Sequence, residues 1–188
     1  MRKIVLCIAI ISTATAVKAQ SFAKGDNVIS AGIGFGSAIG DYGFASQAPA
    51  VSVQYEKGIW PAGPGVVSLG GYAGVKTYRY SGSSGGYSYT QKWNYTIIGV
   101  RGAWHYTEIP VEKLDVYAGA MVSYNILKYK YSDNTGYSDE DLLGGSYGSA
   151  VGVSAFAGAR YYFAGNLSVF AELGYGVSYF TTGLAFKF

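Results

Sequence analysis

Apolar residues alternate with small or polar residues along this chain, and this pattern constrains its fold more strongly than any other feature. In an extended strand successive side chains point to opposite faces, so a period of two gives one apolar face and one polar face. The pattern occurs in eight segments, at residues 29–36, 51–56, 67–76, 95–106, 114–126, 151–163, 167–175 and 179–188. The sequence therefore predicts an all-β protein whose strands each have two unlike faces.

The positions of the charged residues support the same assignment of faces. Seven charged residues fall on the face opposite the apolar one, and they are Glu56, Lys76, Arg101, Asp115, Arg160, Glu172 and Lys187. Arg79 departs from the pattern, at the end of a segment. Charges confined to the second face fit either the rim of a sandwich or the lumen of a barrel.

Strand length, aromatic position and loop length favour a membrane barrel over a soluble fold. Several segments exceed the ~9–11 residues with which a tilted strand crosses a bilayer, whereas globular strands have about 5–6 residues. Aromatic residues such as Trp104, Tyr124 and Phe163 cluster near segment ends, as interfacial girdles require. Long connections at 37–48, 81–91 and 128–148 alternate with short ones at 57–65, 107–113 and 164–166. This alternation is typical of outer-membrane barrels.

We therefore predict an eight-stranded antiparallel transmembrane up-and-down β-barrel. The chain ends with the sequence GLAFKF at 183–188, where Leu184, Phe186 and Phe188 form one apolar row. Barrel closure pairs this last strand with the first, so no backbone edge faces lipid, where each unsatisfied amide costs several kcal/mol. An even number of strands also returns the chain to the side on which it began. The connection near 176–178 is predicted to be unusually tight.

The first nineteen residues have the pattern of a secretory signal peptide. Met1-Arg2-Lys3 supplies positive charge, residues 4–11 form an apolar region, and Val17-Lys18-Ala19 provides a small-x-small cleavage site. The apolar region is too short for a spanning helix, which needs roughly 18 residues or more. We expect residues 1–19 to be removed, which leaves residues 20–188 as a single barrel domain.

Removal of this segment changes both the charge and the cysteine content. Arg2, Lys3 and Lys18 account for the whole formal charge of +3, and Cys7 is the single cysteine of the chain. The predicted mature chain is therefore electrically balanced and has no thiol or disulfide chemistry. Because it has no basic surplus, we expect no nucleic-acid partner.

Three parts of the sequence resemble a known family. They are the signal peptide that ends at Ala19-Gln20, the run ELGYG at 172–176 and the terminal GLAFKF. They resemble the small eight-stranded outer-membrane β-barrel proteins of the OmpA/OmpX type, particularly those common in Bacteroidota. The resemblance implies a bacterial outer membrane with both termini periplasmic, and lipid around the barrel. It also implies that Phe188 is an assembly signal for the barrel-assembly machinery. It implies no one activity, because this fold hosts structural proteins, adhesins, small channels and a few enzymes.

Three inward charges are the candidate site of the predicted lumen. Arg101, Arg160 and Glu172 lie on neighbouring strands at similar depth. Charges in a narrow lumen are stable only when paired, so we expect Glu172 to bridge one or both arginines. Tyrosine hydroxyl partners could come from Tyr72, Tyr117 and Tyr162. Side chains fill an eight-stranded barrel, which favours a plug, although the same ion pairs could gate a pore.

The sequence favours a protein without enzymatic activity. The single histidine, His105, would need a nucleophile and an orienting acid beside it, and no recognisable set accompanies it. We therefore predict no catalytic residue and no cofactor. Asp133, Asp139, Glu140 and Asp141 carry oxygen ligands of the kind that calcium prefers, but they match no defined loop pattern. We interpret them as a solvated acidic loop and predict no metal site.

These features predict a structural or surface-interaction protein whose lumen is plugged by side chains. Loops 81–91, with the sequence SGSSGGYSYTQ, and 128–148 could bind a protein or a glycan. One alternative is a passive channel for small or hydrophobic solutes, which requires an open lumen or a lateral gap between strands. Another is an accessory subunit of a larger outer-membrane complex, with Ala155, Ala157 and Ala159 at the interface.

Overall fold

The computed structural model describes residues 22–40, 42–141 and 148–188, so the predicted signal peptide lies outside the described residues. The strands are β1 (Asn27–Phe35), β2 (Ser46–Gln47), β3 (Ala50–Pro61), β4 (Gly65–Ser84), β5 (Tyr87–Tyr106), β6 (Leu114–Asp133), β7 (Ser138–Asp141), β8 (Ala150–Ala164), β9 (Leu167–Tyr175) and β10 (Phe180–Lys187). No helix long and apolar enough to cross a membrane occurs in these ranges.

Eight of the strands close into an antiparallel barrel in the order β1, β3, β4, β5, β6, β8, β9, β10. The last strand, β10, pairs with β1 from Val28↔Lys187 to Phe35↔Phe180, and this pairing closes the barrel. The short strands β2 and β7 pair with β4 and β6. The predicted eight-stranded antiparallel barrel is confirmed.

The two faces of the wall have opposite chemistry. Large apolar side chains point outward, and Val100 and Leu173, for example, are each 67% exposed. All seven charged residues predicted on the inner face are buried, with at most 8% of their surface exposed. An apolar exterior around a charged interior is stable in lipid and not in water, so this is a barrel of the transmembrane type.

Both described ends of the chain lie at the same end of the barrel. The backbone N–H of Phe188 donates to the Asn27 carbonyl at 2.9 Å, and the N–H of Asn27 donates back at 3.2 Å. The ring of Phe188 remains exposed beside that of Phe186, with centroids 6.2 Å apart. The predicted apolar row of the GLAFKF strand therefore faces outward.

The predicted long loops at 81–91 and 128–148 are wrong as loops, because strands occupy most of the described parts. β4 and β5 run on to a two-residue turn at Gly85 and Gly86, which have φ values of +56° and +84°. Two adjacent residues with positive φ form the turn that suits the twist of a tight hairpin, and glycine adopts this conformation without strain. β6 likewise continues to Asp133, and β7 pairs back along it.

We call the end of the barrel that carries the Gly85-Gly86 turn the upper end, and its rim is uneven. β4, β5 and β6 have 20 residues each, whereas β1 and β9 have nine and β10 has eight. The predicted tight connection is present, since only residues 176–179 join β9 to β10. We call the β4–β5–β6 side the tall wall and the β9–β10–β1 side the low wall.

Candidate functional site

Arg101 on β5 lies at the centre of the lumen. Its Nη2 donates to Glu172 Oε1 at 2.8 Å, its Nη1 donates to Gln54 Oε1, and its Nε lies 3.0 Å from Glu56 Oε1. The guanidinium also stacks on the Phe156 ring, 4.0 Å from the centroid. Two carboxylates and an aromatic face thus surround one buried cation, which is the environment that a buried arginine requires.

Arg160 on β8 pairs with two carboxylates, one of which it shares with Arg101. Its Nη1 donates to Asp115 Oδ2 at 3.1 Å, and its Nη2 donates to Glu56 Oε2. Its guanidinium lies 4.6 Å from the centre of the Tyr117 ring. Glu172 therefore contacts Arg101, while Glu56 is the carboxylate that joins both arginines.

Among the three tyrosines considered as hydroxyl partners, Tyr117 donates to Glu172 Oε1 at 2.8 Å. Glycine at position 158 makes room for this contact. A Cβ there would lie 2.7 Å from Glu172 Cγ and 3.0 Å from Tyr117 Cζ, closer than side-chain atoms tolerate. The glycine thus allows the carboxylate and the ring to meet beside β8.

His105 belongs to a second polar cluster below the arginines. Its Nδ1 lies 2.8 Å from Asp115 Oδ1, and its Nε2 lies 3.1 Å from Ser68 Oγ. No sequence motif placed a serine and an acid beside this histidine, although Asp115 and His105 flank one short connection. The structure brings the three together in the order of a catalytic triad.

The surroundings of this cluster favour a structural role. Ser68, His105 and Asp115 are fully buried, and the Phe22 ring stacks on the imidazole at 3.9 Å. Ser68 Oγ also donates to the Ala103 carbonyl at 3.3 Å. A nucleophile needs space for a reacting carbonyl about 3 Å away, whereas Ser68 has no exposed surface.

The segment from Phe22 to Asp26 covers this end of the lumen, and no sequence pattern predicted this contact. The Ala23 N–H donates to Asp26 Oδ2 at 2.9 Å, and the Gly58 N–H donates to the Asp26 carbonyl at 2.9 Å. Asp26 Oδ2 also lies 3.4 Å from Lys187 Nζ on β10. The first described residues are therefore tied to both β3 and β10.

The tall wall carries aromatic rings on its inner surface. Deep in the mouth, the Tyr42 ring stacks on Tyr78 at 4.4 Å, and its hydroxyl lies 2.9 Å from that of Tyr95. Higher up, the rings of Tyr89 and Tyr131 stack with centroids 6.2 Å apart. We call the upper group the tyrosine face; in it Tyr87 and Tyr137 are exposed, and Tyr80, Tyr89 and Tyr131 are half-buried.

Where the structure describes them, the acidic residues near this face make the contacts of a turn. In the described part of the chain, no group of three or more histidine, cysteine, aspartate or glutamate residues could hold a metal ion. Asp133 instead accepts hydrogen bonds from the Thr135 hydroxyl and N–H, at 2.7 and 2.9 Å. The Thr135 hydroxyl and the Tyr87 hydroxyl lower the pKa of Asp133. The side chains of Glu140 and Asp141 lie outside the described residues.

No protein-family model matches this chain, and no curated protein matches it. Among solved structures, the chain is similar to Ail, the attachment invasion locus protein of Yersinia pestis. The crystal structure of Ail with the heparin analogue sucrose octasulfate matches with a TM-score of 0.50 and 12% identity, over 88% of this chain and 100% of Ail. A second Ail crystal structure matches with a TM-score of 0.48, the same identity and the same coverage. The likeness is one of fold.

Proposed function

We propose that this chain is a bacterial outer-membrane β-barrel protein with a structural or surface-interaction role. One observation carries the proposal: the tyrosine face stands on a wall that extends beyond the rest of an apolar-sided barrel. Tyrosine supplies rigid, amphipathic contact area at low entropic cost, which suits it to recognition surfaces. The tall wall would then present this surface outside the cell.

The membrane placement follows from the same chemistry. The apolar exterior requires lipid around the barrel, and the predicted signal peptide at 1–19 would export residues 20–188. Both described chain ends lie at the end of the barrel that is farthest from the Gly85-Gly86 turn at the top of the tall wall. A tyrosine face outside the cell therefore puts the termini in the periplasm. The exposed Phe188 ring at the end of β10 is available as the assembly signal for the barrel-assembly machinery.

We infer that side chains plug the lumen. Arg101 and Arg160 each meet two carboxylates, and Phe22 covers the cluster below them. An eight-stranded barrel is just wide enough for side chains to fill it. Leaving a buried guanidinium without its partner would be costly, so these contacts resist opening.

Single-channel recording in planar bilayers tests this plug. We expect neither the wild-type protein nor Glu172→Ala to conduct, because Arg101 keeps its contact with Glu56 in the variant. Steady openings that grow in Glu172→Ala would instead mean that the ion pairs gate a passive channel.

We propose that the tyrosine face binds a glycan. The Ail structure contains a sulfated sugar, so sucrose octasulfate is one probe and uncharged maltohexaose is the other. Saturation-transfer NMR should detect binding to the wild-type protein and its loss in Tyr89→Ala/Tyr131→Ala. Tyr175→Ala is the matched control, because Tyr175 is exposed on the outside of β9. Binding that survives the double substitution would contradict this assignment, and no binding of either sugar would leave a protein as the partner of this face.

An accessory subunit is the second candidate, and one observation favours it. The outward residues Ala155, Ala157 and Ala159 on β8 pair in register with Ala120, Ala118 and Val116 on β6, whereas on β9 only Ala171, the partner of Ala159, is small. A patch of small residues permits close approach of another chain within a membrane. Native mass measurement of the protein extracted from its own membrane would then find a second chain bound to it.

A further inference from the structure

Among the described residues, the ladder between β8 and β9 stops short of the upper end of β8. The ladder between them begins at Ala155↔Tyr175, whereas β8 itself begins at Ala150. Residues 150–153 pair with β6 on one side, and among the described residues no strand pairs with them on the other. The tight turn after Tyr175 leaves this stretch of β8 taller than its neighbour.

A cavity of about 270 Å³ lies at this position, and residues of both faces of the wall line it. On the inner side it is lined by the buried polar residues Ser123, Asn125 and Ser154. On the outer side it is lined by Val151 and Val153, which are 70% and 68% exposed. Because residues of both faces line one cavity, it connects the upper lumen with the side of the barrel.

We propose that this side opening binds a single-chain amphiphile from the surrounding lipid leaflet. Its apolar chain would leave between Val153 and Tyr175, at the upper edge of the apolar exterior, and its polar head would lie in the lumen. The opening lies where part of one strand is missing from the ladder, so its width suits one acyl chain better than two. The inference rests on the proposed membrane location and is independent of the tyrosine face.

The inner lining determines the chemistry of the head. None of the described lining residues carries a charged side chain, so an ionised head would meet no counter-ion among them, which is costly. Ser123 Oγ donates to Asn125 Oδ1 at 3.0 Å, and this bond orients the Asn125 amide. The amide nitrogen lies above Gly152, where a Cβ would come within 2.6 Å of it. The absence of a side chain there leaves space for an uncharged hydroxyl or ester head to meet this amide.

The test places a paramagnetic amphiphile next to the cavity. The barrel is reconstituted in lipid nanodiscs with a monoacylglycerol that carries a nitroxide near its head, and NMR signals are followed. We expect loss of the Gly152 backbone and Asn125 side-chain signals, while the buried Ser52 on β3 keeps its signal. A water-soluble nitroxide should leave all three signals intact.

Two variants and one control make the result specific. Gly152→Val should fill the cavity and preserve the Ser123 signal; the atoms it crowds belong to the flexible ends of Asn125 and Ser123, so the barrel can adjust. Asn125→Leu has a similar size, removes the amide and should also protect Ser123. Gly71→Val is the control, because a Cβ there meets nothing closer than 3.9 Å and it lies on β4. It should behave as the wild-type protein does.

The outward residue Val100 separates failure of this inference from failure of the membrane proposal. Loss of the Val100 signal without loss of the Gly152 signal would overturn the binding site and leave the barrel in lipid. An unaffected Val100 would overturn the membrane location as well. Equal loss at Gly152 with the water-soluble nitroxide, or unchanged loss in Gly152→Val, would also contradict the proposed site.

Discussion

Glu56 accepts ion pairs from both lumen arginines, which makes it the residue on which the network depends most. Its Oε1 lies 3.0 Å from Arg101 Nε, and its Oε2 accepts from Arg160 Nη2. Glu172 accepts hydrogen bonds from Arg101 and Tyr117, and Asp115 accepts one from Arg160 and contacts the His105 ring. Each of these two carboxylates meets one arginine, so neither can replace Glu56.

Neutralising Glu56 should therefore destabilise the barrel. We expect Glu56→Gln to lower the free energy of unfolding by about 3–5 kcal/mol, because two buried guanidiniums lose a counter-ion together. The measurement is urea unfolding in lipid vesicles, followed by tryptophan fluorescence. Glu108→Gln is the control, since Glu108 is exposed between β5 and β6 and should change stability little. Equal stability of the two variants would contradict this prediction.

At the scale of elements, the turn between β6 and β7 is organised by one carboxylate. Asp133 accepts from the N–H groups of Thr135 and Tyr137 and from the Tyr87 hydroxyl of β5, at 2.9, 3.2 and 2.9 Å. Tyr87 and Asp133 therefore tie the β4–β5 hairpin to the top of β6. The hydrogen bond between Tyr87 and Asp133 therefore holds the two parts of the tyrosine face together.

This turn should lose its order in acid. The pKa of Asp133 is lowered in the folded protein, chiefly by the Thr135 hydroxyl. A depressed carboxyl pKa stabilises the turn above the unfolded pKa of about 3.9, and this contribution is lost as pH falls through the lower folded value. Amide chemical shifts of Thr135 and Tyr137 should stay constant from neutral pH to about 4 and then move. In Asp133→Asn this pH-dependent movement should disappear; its persistence would assign the transition to another group.

The sequence predicted the strand bounds well in the apolar part of the barrel and less well in the polar part beyond it. β9 has the bounds that the alternation predicted, at Leu167–Tyr175. β4 and β5 extend far beyond their predicted ends, because Tyr, Ser and Thr continue the ladder without an apolar face. The Gly85-Gly86 pair was the sequence signal for a tight hairpin, and the polar composition around it hid that signal.

At the scale of the whole molecule, the two ends of the barrel differ. Phe22 and the paired residues Asn27 and Phe188 lie at one end, and the other end carries the unequal rims of the tall wall and the low wall. Below the side opening, the closed ladder leaves no free strand edge towards lipid. The last residue contributes its backbone to this closure, while its side chain points away from the lumen.

Phe188→Ala should therefore affect assembly more than stability. If Phe188 is read by the assembly machinery, the variant should accumulate poorly in outer membranes of cells yet refold normally into lipid vesicles. Phe186→Ala is the matched control, since Phe186 is also exposed on β10 and stacks on Phe188. Comparable yields of both variants in cells would remove the special role of the terminal residue.

Local sequence pattern determined which way each side chain points. Successive residues of a strand face opposite sides whatever the strand pairs with, so the alternation alone separated Arg101, Arg160 and Glu172 from the lipid-facing residues. The strand number and the closing pair also followed from the sequence, because eight alternating segments admit few closed arrangements.

Tertiary structure decided which of these inward residues meet. Arg160 and Glu56 are 104 residues apart in the chain, and their contact depends on the stagger of strands around the barrel, which no local pattern encodes. The same stagger brings Ser68 to His105 and sets Ala155 opposite Tyr175, which ends the β8–β9 ladder below the top of β8. The sequence therefore determined the two faces of every strand, and only the register of the closed barrel determined the ion pairs and the side opening.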